Sequence, residues 1–69
     1  MGNNDHIPTS EVLQDINDTQ KEIDNYRDEK EVLMRNPQSN RLRIYMIDGQ
    51  ISQREQFINQ LNEIIKERQ

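Results

Sequence analysis

The chain has 69 residues and a formal net charge of −4, with 30% hydrophobic residues, 32% charged residues and no cysteine. That length holds one small domain and leaves little material for an enzyme's pocket, while the missing thiols exclude a disulfide framework and a cysteine-based zinc site. The longest apolar run, Ile44-Tyr45-Met46-Ile47, is far too short to span a bilayer, and we expect a cytoplasmic protein.

Residues 1–8 read as a flexible N-terminal tail, because they are polar, contain Gly2 and Pro8, and show no periodicity. The first six have neither the basic start nor the apolar stretch of a signal peptide. Residues 9–69 read as a single helical-hairpin domain. Thr9 or Ser10 can cap a first helix over about residues 10–35, with Glu11 in its first turn where the helix dipole favours a carboxylate. One stripe runs through Val12, Ile16, Thr19, Ile23, Tyr26, Lys30 and Leu33 at spacings of 4, 3, 4, 3, 4 and 3. That alternation is the seam of a coiled coil, here with Thr19 and Lys30 as polar interruptions.

Asn36-Pro37 ends this helix, since the residue before a proline is pushed out of the α region, and a turn follows over about residues 36–40. The same pair can start the next helix, with Asn36 as cap and Pro37 at the first helical position; Ser39 or Asn40 is the alternative start. The second helix, about residues 40–68, carries the stripe Ile44, Ile47, Ile51, Arg54, Ile58, Leu61 and Ile65 at spacings of 3, 4, 3, 4, 3 and 4. Phe57 and Ile64 widen it on one side, and Tyr45 and Met46 widen it near the start. No segment alternates with period two, so no strand is expected.

Thr19-Gln20-Lys21-Glu22 and Ser52-Gln53-Arg54-Glu55 both fit the capping box, and Gly49 precedes the second. Read literally, each starts a new helix. Both stripes keep their phase across these points, which favours two continuous helices with Gly49 marking a kink or a close approach by another helix. Residues 1–34 hold nine acids and three bases, and residues 35–69 hold four acids and six bases. This difference favours antiparallel pairing of the two helices, although exposed pairs contribute only about 0–1 kcal/mol each. A two-helix unit cannot cover Phe57, Ile64, Tyr45 and Met46, and small domains gain burial by oligomerising. The expected fold is therefore all-α: a two-helix antiparallel hairpin, coiled-coil-like, assembling into an oligomeric helical bundle, with a dimeric four-helix bundle as its simplest form.

Arg35, Arg41 and Arg43 cluster around the turn, where the N–H groups at the start of the second helix also point. Orphan donors, helix dipole and guanidinium groups together suit a phosphate or carboxylate, and Tyr45, or Tyr26 of a neighbouring chain, adds a stacking surface. Arg54 and Lys30 interrupt the seams, where such residues set register and pair with an acid of the other helix. A ligand-facing Arg54 in an oligomer interior is the other reading, because a buried arginine must find an anion. The candidate anion site is thus Arg35, Arg41, Arg43, Tyr45, Arg54 and Tyr26. No catalytic residue, cofactor or metal site is expected. His6 stands alone, and Asp15-Ile16-Asn17-Asp18-Thr19 fails as a calcium loop because Gln20 holds the glycine position and Tyr26 the twelfth. The acidic balance lacks the basic footprint that duplex nucleic acid requires. Acidic or mixed polar faces likewise disfavour a membrane surface.

The pattern Arg43-x-x-Met46-x-x-x-x-Ile51-x-x-Arg54-x-x-Phe57-Ile58-x-x-Leu61-x-x-Ile64 resembles one found in small uncharacterised phage and prophage helical-hairpin proteins. Those proteins also carry an acidic first helix before a short turn, comparable with residues 23–33, and the resemblance covers about residues 16–68. It implies a phage-encoded protein that binds and disables a host factor or sequesters a signalling nucleotide, and it carries over no catalytic residue. A likeness of shape to nucleotide-sponge proteins, which are compact helical oligomers, points the same way by analogy. The resulting expectation is a non-enzymatic, homo-oligomeric binding protein that inhibits host defence. It would sequester a small anionic ligand such as a cyclic nucleotide at subunit interfaces lined by Arg41, Arg43 and Tyr45. The alternative is a structural or adaptor protein that docks a host or virion protein through its helical faces.

Overall fold

A stripe spaced alternately three and four residues apart buries one side of a helix, and two such stripes in one short chain can bury each other. The computed structural model describes residues 7–68, and there the chain forms two helices packed against each other, α1 (Thr9–Leu33) and α2 (Arg41–Arg68). The tail expected over residues 1–8 lies outside the described residues apart from Ile7 and Pro8. The helices run antiparallel: Arg68, near the end of α2, donates from Nη1 to Thr9 Oγ1 at 2.9 Å, while Arg43, near its start, meets Glu29. The hairpin is a rod of 50 × 17 × 15 Å. Its radius of gyration, 15.6 Å, exceeds the roughly 11 Å of a compact domain of this length.

Every position of both stripes is buried or half-buried. Val12, Ile23, Ile47 and Leu61 form the buried apolar core, with Thr19 buried among them. Lys30 and Arg54 sit half-buried in the seam. Both helices continue unbroken through the two capping-box sequences. Gly49 makes no close approach within the hairpin, because a Cβ built there would meet nothing within 4 Å.

The helix ends differ from the local expectation. Pro8, not Thr9 or Ser10, occupies the cap position of α1 and makes no side-chain cap bond; its carbonyl accepts from Glu11 and Val12 N–H at 3.0 and 3.2 Å. Thr9 is already helical and accepts from Arg68 instead. Neither Asn36 nor Ser39 starts the second helix, which begins directly after Asn40. Asn40 Nδ2 donates to the carbonyls of Leu33 and Asn36, both at 3.1 Å. Its amide thereby ties the start of α2 to the last residue of α1 and to the turn, and holds the turn closed.

Candidate functional site

Side chains two residues apart on a helix lie about 200° apart around its axis. Arg41 and Arg43 therefore cannot share a face, and the turn arginines do not converge. Arg43 flanks the seam and reaches across to α1, with Nε at 2.8 Å and Nη2 at 2.7 Å from Glu29 Oε2. Arg41 is exposed and has no ion-pair partner among the described residues. It lines an open depression of about 470 Å³ at the turn with Gln38, Ser39, Leu42 and Tyr45. Tyr45 is 75% exposed. Arg35 is exposed in the turn, and its backbone N–H donates to Val32 O at 3.2 Å; it does not line the depression.

Arg54 and Tyr26 belong to a different place. Arg54 Nε donates to Glu22 Oε2 at 3.0 Å, and Nη1 donates to Gln50 Oε1 at 2.5 Å and to the Gln50 carbonyl at 3.3 Å. The guanidinium carbon lies 5.0 Å from the centre of the Tyr26 ring, a cation–π distance. These contacts commit Arg54 to the hairpin's own seam. The adjacent shallow groove, about 220 Å³, is lined by Glu22, Asn25, Tyr26 and Glu29, and its two carboxylates repel an anion.

Ion pairs join the helices along the seam and on both of its flanks. Glu22–Arg54 at 3.0 Å and Glu29–Arg43 at 2.7 Å put the acid on α1, as the charge balance suggests. Lys30–Asp48 at 2.7 Å and Arg27–Glu55 at 3.5 Å put it on α2. The pairing is therefore local in origin and not a simple attraction of an acidic helix for a basic one.

One feature escaped the sequence reading. Leu42, Met46, Gly49, Gln53, Phe57, Gln60 and Ile64 form a second stripe on α2, about 130° around the helix from the seam. It contains no charged residue. All but half-buried Ile64 are exposed, Leu42 at 73%, Met46 at 51% and Phe57 at 44%. Phe57, Ile64 and Met46 looked like a broadening of the seam because the glycine and two glutamines between them hide the stripe from a count of apolar residues. The signal that could have found it is the absence of charge over seven positions in a chain one-third charged.

Among the described residues, no helix is long and apolar enough to cross a membrane, and no group of three or more His, Cys, Asp or Glu side chains is placed to hold a metal ion. No protein-family model, curated protein or solved structure matches the chain.

Proposed function

We propose that this protein is a non-enzymatic binding module that works by protein–protein contact along the uncharged outer stripe of α2. The observation that carries this reading is the exposure of Leu42, Met46 and Phe57 on one face with no charged residue among them. Fully burying a side chain of this kind contributes about 1.5–3 kcal/mol. Three such residues, partly covered already, add on the order of 2.5–5 kcal/mol, enough to offset a useful part of the association entropy. The test places the photoreactive analogue benzoylphenylalanine at position 57 and, in a second sample, at position 13 on the outside of α1. Irradiation in producing cells is expected to give protein adducts from position 57 and none from position 13. An absence of adducts from position 57 overturns the reading.

A second reading, sequestration of a small anionic ligand such as a cyclic nucleotide signal, is favoured by one observation: Arg41 and Tyr45 line the same open depression. Calorimetry against a panel of cyclic nucleotides decides it, with binding to the wild type expected to vanish in Arg41→Glu. Arg43 and Arg54 are left out of that site because Glu29 and Glu22 already hold them.

A further inference from the structure

The outer stripe of α2 reads the same in both directions. From Leu42 to Ile64 its spacings are 4, 3, 4, 4, 3 and 4, symmetric about Gln53. We propose that its occupant is a second copy of this chain, bound with the two α2 helices antiparallel and Gln53 on the two-fold axis, so that Phe57 fills the open space over Gly49 of the partner subunit. This rests on the reading of α2 as a docking face and names what docks there.

A two-fold interface brings the same patch of both subunits together, and the patch must therefore complement itself. Centred on Gln53, an antiparallel pair sets Leu42 against Ile64 of the partner subunit and Met46 against Gln60 of the partner subunit. Gly49 then faces Phe57 of the partner subunit. The largest side chain of the stripe meets its only missing one, as a knob meets a hole. Both halves of that contact are open in the single hairpin: Phe57 is 44% exposed, and nothing lies within 4 Å of a Cβ at Gly49. The two Gln53 amides meet at the axis, where each carries a donor and an acceptor for the other. A parallel pair fits worse, because it sets ring on ring and gap on gap.

Charge narrows the occupant to the same result. Leu42 to Ile64 spans about 33 Å of helix, and the occupant must be uncharged over that length to avoid stranding a charge without a partner. A second α2 meets this condition. The outside of α1 does not: one flank carries Glu11, Asp15, Asp18, Glu22 and Glu29, and the other carries Asp24, Arg27 and Glu31. In the resulting dimer the two α2 helices lie inside and the two acidic α1 helices lie outside, apart from each other.

Engineered thiols test the register, since the chain has no cysteine of its own. Gln53→Cys is expected to oxidise to a covalent dimer in most of the sample. Gly49→Cys and Phe57→Cys are each expected to remain uncrosslinked alone and to link when mixed. Two copies of residue 49 would stand about 12 Å apart along the axis, beyond the ~7 Å Cα limit of a disulfide. Asp24→Cys, outside α1, is expected to remain uncrosslinked. Sedimentation of the untouched chain supplies a measurement free of any variant and is expected to give twice the 8.3 kDa chain mass. A monomer mass, a Gln53→Cys protein that does not link, or Gly49→Cys linking to itself each overturns the proposal. A monomer whose position 57 still crosslinks to a different protein overturns the second copy while leaving the docking face in place.

Discussion

The two helices share one seam and differ outside it. Facing inward, α1 and α2 follow the same alternation of three and four, and each contributes two of the four buried apolar side chains, Val12 and Ile23 from one and Ile47 and Leu61 from the other. Facing outward, α1 is charged on both flanks of its seam. On α2 one flank carries the uncharged stripe from Leu42 to Ile64. Charge on the outside of a helix keeps it in water, and a face cleared of charge over six turns has no such tie. What folds the hairpin is thus common to both helices, and the uncharged outer face is found on one.

The largest effect should come from the shared seam and should not distinguish the helices. Ile23 and Ile47 are each 1% exposed, and Ile23→Ala or Ile47→Ala is expected to destabilise the hairpin by about 2–5 kcal/mol. So small a core will lose most of its stability by either route. Urea unfolding followed by far-ultraviolet circular dichroism measures both. Leu13→Ala, on the outside of α1 and half exposed, should change stability by no more than about 0.5 kcal/mol. A small loss from one isoleucine and a large loss from the other would break the symmetry claimed for the seam.

An intermediate effect separates a charge that belongs to the seam from one that faces out. Arg54 sits at a seam position, with its side chain 25% exposed and its partner Glu22 at 52%. Solvent screening discounts the ion pair itself. Counting the hydrogen bonds to Gln50 and the lost packing on Tyr26, Arg54→Ala is expected to cost about 1–2 kcal/mol. Arg41→Ala should stay within about 0.5 kcal/mol. Added salt should shrink the Arg54 effect and leave the Arg41 result alone. Equal losses at the two positions would mean that the seam arginine contributes no more than a surface charge.

The same distinction explains what was legible in the sequence. Each seam residue was readable because helix periodicity alone decides which side chains share a face, and the polar Thr19, Lys30 and Arg54 kept that phase. The N-terminal cap was misplaced because the hydroxyl of Thr9 finds Arg68, which lies 59 residues away; no local rule sees such a partner. Asn40, the alternative start for the second helix, does stand directly before α2, with its carbonyl accepting from Ile44 N–H, while its side-chain amide turns back to Leu33 of α1 and Asn36 of the turn. Arg35, Arg41 and Arg43 are near one another in sequence but not in space. Rotation around α2 sends Arg43 to Glu29 and leaves Arg41 with Tyr45 at the open depression.

The smallest effect is the most discriminating, because its sign depends on whether the outer stripe of α2 is covered. Glycine inside a helix is about 0.8–1 kcal/mol less favourable than alanine. A methyl group at Gly49 meets nothing within the hairpin, so Gly49→Ala should raise the stability of dilute, dissociated chains by nearly that amount. At concentrations where two copies pair, the same methyl occupies the space assigned to Phe57 of the partner subunit. Overpacking of that kind costs about 1–3 kcal/mol, and the gain should shrink or reverse. Thermal unfolding over a wide range of protein concentration, for wild type and Gly49→Ala together, reads this directly: the two curves should cross. A constant advantage for alanine at every concentration would remove the contact between Phe57 and Gly49, while the uncharged face of α2 would still set that helix apart from α1.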